Sequence, residues 1–264
     1  MAHELYSNVV IENKITNDVN TLVDVNALFT TDTSLTTEAG LTKKIYARTY
    51  TGKVETLGMG EKNSVYGEVT LKDYTYEIER YQQAFKYFDM QVMEDPLLLD
   101  AATEGAALEM ANDIKSKYFA QLAKIGTAEG AVNVMPYTEL SYDVIVDALL
   151  KINREVESDQ FLVMGLEGKA AIRKDEDYKA SRQGEILYTG QFGTICGIPC
   201  VFSKLITNGD VYVTTKDAIR HFIKKNGSVE QDRDIETKEN TVVYERHGVM
   251  ALVDETKSVK LVKE

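Results

Sequence analysis

The side chains of this 264-residue chain best suited to chemistry are two cysteines and three histidines. Cys196 and Cys200 flank Gly197-Ile198-Pro199. Thiol–disulfide motifs place two residues between the sulfurs at a helix N-terminus, which lowers the thiolate pKa. Here three residues intervene and the context is strand-like, so the spacing favours two small buried side chains beside a Gly–Pro turn. His3, His221 and His247 show no His-Glu-x-x-His pair or comparable ligand spacing, so neither a metal nor a cofactor is expected. The chain has no G-x-x-x-x-G-K-[ST] phosphate loop, no G-x-G-x-x-G after a strand and no G-x-S-x-G elbow. Gly58-Met59-Gly60 is too short a match to the dinucleotide pattern and reads as a turn. The run Glu230-Gln231-Asp232-Arg233-Asp234-Ile235-Glu236 lacks the Gly and the terminal Glu of a calcium loop and reads as a solvated, charge-mixed loop. No catalytic residue is therefore expected.

Composition narrows the classes further. Hydrophobic residues are 44% and charged residues 27%, which is ordinary for a globular protein. The net charge of −12 disfavours sequence-independent nucleic-acid binding, which needs a cationic face. Two cysteines rule out a disulfide-stapled secreted scaffold. No apolar run is long enough to span a bilayer, and Met1–Val10 lacks the apolar stretch of a signal peptide. The expectation is a soluble protein of a reducing compartment.

The order of elements carries more information than any motif. Residues 1 to about 43 are polar and Thr/Asn-rich, with the apolar group Val19, Leu22, Val23, Val25, Leu28 and Phe29. They read as an arm that needs an external surface to pack on, with a short helix or a docking strip within it; a disordered terminus fits the first ten residues equally well. Ile45–Leu57 is rich in strand formers, and the turn Gly58–Asn63 follows. Beyond it Val65, Gly67, Val69 and Leu71 share one parity, whereas Tyr74, Tyr76 and Ile78 share the other, which predicts a bulge at Lys72-Asp73. The whole is a long hairpin with a Gly-rich tip, marginal alone, that should lie on another surface. An ordinary hairpin within a larger sheet is the alternative.

Asp95 as N-cap and Pro96 at the first helical position open a long helix. Ala107, Met110, Ile114, Tyr118 (or Ala111), Leu122 and Ile125 line one face of it, and Gly126 ends it. An α/β pattern follows: helix Ser141–Glu157, strand Phe161–Met164, a short helix from Gly168 to Arg173, a loop over Gly184–Phe192, and strands Pro199–Phe202 and Val211–Val213. A second amphipathic helix is expected at Thr215–Lys224, with Ala218, Ile219, Phe222 and Ile223 inward, His221 on it and Lys224-Lys225 at its C-terminal end. Gly227–Glu239 reads as a charged loop. Thr241–Tyr244, Val249–Val253 and Val259–Val262 read as closing strands.

Polar arm, long β ribbon, long helix, α/β unit and returning strands, in that order, resemble the major capsid proteins of tailed bacteriophages, the Hong Kong 97-type fold. Thr189–Val201, reading TGQFGTICGIPCV, matches that family's G-x-I-x-G-I-P-V habit leading into a strand. The resemblance covers residues from about 40 to 264. It implies an α+β fold divided into an N-terminal arm (1–43), an extended β-hairpin E-loop with its return strand (44–89), a P domain with the spine helix (90–140), an α/β A domain (141–238) and strands returning to the P domain (239–264). It implies a non-enzymatic protein that assembles with itself as hexamers and pentamers into the icosahedral head. The head would enclose double-stranded DNA without sequence-specific binding. A separate scaffolding protein and a portal are the further implied partners, with no membrane and no cofactor, and assembly falls in the bacterial host cytoplasm. Only about 40 residues precede the ribbon, fewer than in relatives with a helical scaffolding extension, so the scaffold is expected on a separate chain or not needed. Lys53, Lys62 and Lys72 lie on the ribbon, but no crosslinking chemistry is carried over to them. Gly58, Gly60, Lys62, Tyr74, Tyr76, Glu230, Asp232 and Arg233 are the residues expected between subunits.

Three rivals stand beside this reading, one of them a surface-binding or tail structural protein of a phage, which ring or tube assembly in place of closed shells would indicate. An encapsulin-type nanocompartment shell shares the fold and length; its N-terminus is usually helical and it needs a groove for a cargo peptide. A thiol oxidoreductase using Cys196 and Cys200 belongs to another class.

Overall fold

The computed structural model describes residues 8–24, 28–126, 133–152, 159–176, 194–206 and 209–264. His3, Val25, the last turns of the helix expected to reach Glu157, the Gly184–Phe192 loop and the Thr189–Gly193 part of the Gly–Ile–Pro stretch lie outside the described residues.

In chain order the elements are α1 (Asn8–Asp24), β1 (Thr30–Asp32), β2 (Thr42–Thr51), β3 (Glu68–Glu77), β4 (Glu79–Phe88), α2 (Asp89–Glu94), α3 (Leu98–Ala123), β5 (Val134–Tyr137) and α4 (Tyr142–Ile152). Then come β6 (Gln160–Met164), α5 (Leu166–Lys174), β7 (Thr194–Ile195), β8 (Ile198–Phe202), β9 (Val211–Thr215), β10 (Ile219–Arg233), β11 (Glu239–Leu252) and β12 (Val259–Lys263). They build a four-stranded sheet β1-β10-β11-β4, a six-stranded sheet β5-β12-β9-β6-β8-β7, and the separate two-stranded ribbon β2-β3.

The long helix forms as its periodicity requires. Ala107, Met110, Ile114, Tyr118, Leu122 and Ile125 are all buried, and Gly126 takes a φ of +79° at the stop. The helix begins at Leu98 rather than at Pro96. Asp95 instead makes a local turn, its Oδ1 accepting from the Leu97 N–H at 3.0 Å. The 26 residues give a rod of about 39 Å.

The N-terminal segment departs from expectation. Residues 8–24 form a helix that packs along α3 and β10 of its own chain, with Ile11, Ile15 and Val19 buried in the main core and Lys14 paired to Asp100 at 2.6 Å. Ile11, Ile15 and Val19 recur at steps of four and make one apolar face, so this part of the segment has an internal partner. β1 then adds to β10 in parallel.

The largest correction concerns Thr215–Lys224. It is not a helix: Ile219–Arg233 is a strand, paired along its length with β11, and only residues 234–238 form the turn expected to be a long loop. The first five residues of β10 run Ile219, Arg220, His221, Phe222, Ile223 and are nearly continuously buried, because this end of the sheet is covered on both faces. On one face Ile219 packs with α1 and α3; on the other Phe222 packs with Leu35, Ile45, Val249 and Ala251. Apolar residues on both faces of a strand fall by accident at helical spacing. Lys224 does not cap a helix; its Nζ donates to the carbonyl of Leu35 at 3.0 Å. The closing strands expected at Thr241–Tyr244 and Val249–Val253 are one strand, β11, which alternates in burial through its first half and is buried on both faces at its end.

Three cores follow from this layering. The main one lies between α1 and α3 and the faces of both sheets. A second lies between the other face of the six-stranded sheet and α4 and α5. The third, under the base of the ribbon, is small. β11 returns to β4 and so to the spine helix, whereas β12 inserts in the six-stranded sheet between β5 and β9. Among the described residues no helix is long and apolar enough to cross a membrane.

Candidate assembly surfaces

The ribbon's register runs unbroken from Thr42 opposite Glu77 to Thr51 opposite Glu68, so the bulge expected at Lys72-Asp73 is absent. The change of parity has another cause. Cross-strand partners share a face. Near the base, Ile45 with Tyr74 and Lys43 with Tyr76 form the face turned to the chain's own body. The Tyr76 hydroxyl donates to the Leu252 carbonyl at 3.1 Å and accepts from the Leu252 N–H at 3.2 Å. The Tyr74 hydroxyl donates to Glu255 at 3.0 Å, and the Lys72 ammonium lies 5.0 Å from the Tyr74 ring centre. Farther out the apolar residues move to the opposite face. Tyr46, Tyr50, Val69 and Leu71 stand there, 55%, 67%, 56% and 66% exposed. One strand pair thus carries two apolar faces in succession, the first used internally and the second bare.

The expected intersubunit residues can now be placed. Tyr74 and Tyr76 bond to their own chain, and the bare tyrosines of the paired strands are Tyr46 and Tyr50, which the sequence reading did not single out and whose signal was their register opposite Asp73 and Val69. Gly58 and Gly60 form the tip as expected: Glu61 N–H donates to the Gly58 carbonyl at 3.2 Å, and Gly60 holds a φ of +90° that favours glycine. Lys62 is exposed beside it. A Cβ on Gly52 or Gly67 would overlap the Tyr50 ring, which lies across both. Glu230, Asp232 and Arg233 sit on the outer end of β10, not on a loop. Arg233 pairs with the Asp89 carboxylate, whose Oδ1 also accepts from Asn240 Nδ2 at 2.7 Å. That brace fixes the start of α2 against the β10–β11 turn. Met90 and Met93 on α2, Leu97 shortly after it and Ile235 in the β10–β11 turn are further bare apolar side chains, each at least 63% exposed. The eight expected residues therefore fall in two separate places, the ribbon and this outer hairpin.

Among the described residues, the side chains suited to chemistry are not assembled into a reactive group. Cys196 and Gly197, with φ of +51° and +81°, are the two central residues of the β7–β8 hairpin turn. Cys200 follows on β8, and the two are not joined in a disulfide. Cys196 in the turn and Cys200 in the strand are placed by a β-hairpin, not at a helix N-terminus of the kind that lowers a thiol's pKa. His221 is buried in β10, its Nε2 without a hydrogen-bond partner. Burial, with Arg246 and Lys117 nearby, pushes its pKa down to about 3. His247 lies on β11, and among the described residues no group of three His, Cys, Asp or Glu side chains is placed to hold a metal ion.

A family model described as phage capsid protein matches residues 72–262, from the ribbon's return strand through β12. The chain belongs to that family. Among curated proteins none matches it. Its fold is shared by solved capsids of low identity. The capsid of the cyanophage P-SCSP1u superposes with a TM-score of 0.70 at 11% identity, over 92% of this chain and 88% of that one. The capsid of a native GTA particle gives 0.66 at 13% identity, over 91% and 89%. A virus-like particle from Pyrococcus furiosus gives 0.64 at 11% identity, over 97% and 100%. The α+β, Hong Kong 97-like fold of this capsid protein is thereby established, and family and fold point to a structural protein.

Proposed function

We propose that the chain is the major head protein of a tailed phage, assembling as hexamers and pentamers into an icosahedral shell around double-stranded DNA. The observation that carries this reading is the ribbon. Its outer half presents Tyr46, Tyr50, Val69 and Leu71 on a face turned from its own body, and a bare apolar strip of this kind marks an interaction surface. A patch that meets a different patch on the next copy forms a heterologous contact, which closes into rings. The outer hairpin with Met90, Met93, Leu97 and Ile235 supplies a second contact of the same kind. Gly58, Gly60, Lys62, Glu230 and Asp232 border these surfaces; Tyr74, Tyr76 and Arg233 hold them in position.

The net charge of −12 supports packing of DNA without tight or sequence-specific binding. A scaffolding protein and a portal on separate chains, and assembly in the host cytoplasm, complete the proposal. One observation favours a second reading, a nanocompartment shell. Residues 8–24 are a helix packed on the body, in keeping with the helical N-terminus usual in that rival. Electron microscopy of particles made in bacteria, with nuclease treatment before extraction, separates the two. Closed shells made with the neighbouring phage genes that protect duplex DNA support the head protein; shells that enclose a folded protein and no DNA support the rival. A chain that stays monomeric throughout contradicts both.

A further inference from the structure

The outward side of α3 forms one wall of an open groove at the edge of the main core, which supplies Leu28, Phe119 and Tyr212 to its lining. Asn112, Lys115, Ser116, Phe119, Ala120 and Ala123 follow one another at steps of one, three or four and make a single helical face. From Asn112 to Ala123 this face is about 17 Å long. The opposite wall is the end of β8 and the segment after it, with Phe202, Lys204, Leu205 and Ile206. The groove consists of two hollows of about 420 and 390 Å³ that share Phe119 and Leu205.

Its chemistry is specific. Apolar side chains dominate the first hollow, whereas the second mixes Phe119, Leu205 and Ile206 with Ser116, Asp210 and Lys260; there Ala120 and Ala123 leave room for a second backbone to approach. Lys115 and Lys204 stand at the first hollow with no carboxylate among its lining residues, and neither makes an ion pair with a described residue. In the second hollow Lys260 and Asp210 pair with each other at 3.0 Å and cancel. The lining thus carries a net charge of +2 within a chain of −12. We infer that this groove is a docking site for an acidic peptide segment with apolar anchors, carried by a partner protein. The apolar side chains fill the hollows at Phe119 and Leu205, and carboxylates meet Lys115 and Lys204. At about 3.3 Å per residue an extended segment of about five residues fills the length. The inference rests on the groove alone and does not require that the chain form shells.

The test is fluorescence anisotropy on the full chain with a labelled synthetic peptide built of Glu, Leu and Ser. Its counterpart with Lys for Glu and a short DNA duplex serve as rival probes. The acidic peptide should bind saturably, and the double variant Lys115→Glu/Lys204→Glu should weaken it about tenfold, roughly the loss of 1.4 kcal/mol. Ala120→Trp, which fills the groove from an exposed position, should abolish binding, whereas Lys62→Glu on the ribbon tip should leave it unchanged. Circular dichroism of each variant confirms that it is folded. Absence of saturable binding overturns the inference. So does equal binding of the Lys peptide, stronger binding of the duplex, or an affinity unmoved by both groove substitutions.

Discussion

His221 shows how a single side chain can be placed by packing rather than by chemistry. It sits between the Phe29 ring at 5.9 Å and the Tyr81 ring at 6.3 Å, and its Nε2 has no partner. Arg246 from β11 and Lys117 from α3 add positive charge nearby. A base whose folded pKa, about 3, lies below its unfolded value of about 6.5 contributes stability that is full above pH 6.5. That stability is lost as pH falls from 6.5 toward 3. The expected slope is up to about 1.4 kcal/mol per pH unit. Urea unfolding of the wild type and of His221→Gln between pH 7.5 and 4.5 isolates it: the difference between the two should change with pH, and a constant difference contradicts the assignment. Gly248 belongs to the same neighbourhood. A Cβ there would lie 2.7 Å from the Phe222 carbonyl and 3.1 Å from His221 Nε2. Gly248→Ala should cost about 1–3 kcal/mol in the same unfolding assay, because β11 is central and the opposing atom is backbone.

At the scale of elements, α1 and the ribbon are opposite cases. The sequence of α1 reads as an arm because Ile11, Ile15 and Val19, with Leu22 partly buried, carry its described burial, and a thin apolar stripe among Asn, Thr and Lys is a weak signal. Packed against α3 and β10 it is nonetheless integral. Ile15→Ala should destabilise the whole chain by about 2–4 kcal/mol, measured by urea unfolding; an arm that swings free would show no change. The ribbon's base should respond differently. Tyr76→Phe removes a hydroxyl that bonds both groups of Leu252, at a cost of about 1 kcal/mol. Faster amide exchange over 74–78 with little change in global stability is the expected result, and unchanged exchange there would show that the hydroxyl does not hold the ribbon. The period-two alternation of the ribbon, the long face of α3 and four strands of the six-stranded sheet, β6, β8, β9 and β12, were legible in the sequence, since each follows from one-sided burial or a run of β-formers; β5 and the two-residue β7 were not. β10 was not. Burial on both faces removed its alternation, and Ile219, Phe222 and Ile223 then mimicked a helix. The change of face on the ribbon was visible as a parity shift, but without the register a bulge and a change of partner surface look alike.

The whole molecule is held by contacts between elements distant in the chain. Its polar groups brace geometry: Asp89 with Arg233 and Asn240, Tyr74 with Glu255, Tyr76 with Leu252. Large apolar side chains stay bare on the outer ribbon and near the outer hairpin, where a second copy can cover them, and singly elsewhere, as at Leu108 and Leu150. The central claim is that the outer ribbon face exists for that copy. Its most direct measurement is negative-stain electron microscopy, with size-exclusion chromatography, of the wild type and of Tyr46→Ser/Leu71→Ser. Both substituted side chains are more than half exposed, so thermal unfolding of the double variant should match that of the wild type. The expected result is closed shells or five- and six-membered rings for the wild type and unassembled chains for the variant. A variant that assembles as well as the wild type, or a wild type that stays monomeric with its neighbouring genes expressed, would contradict it.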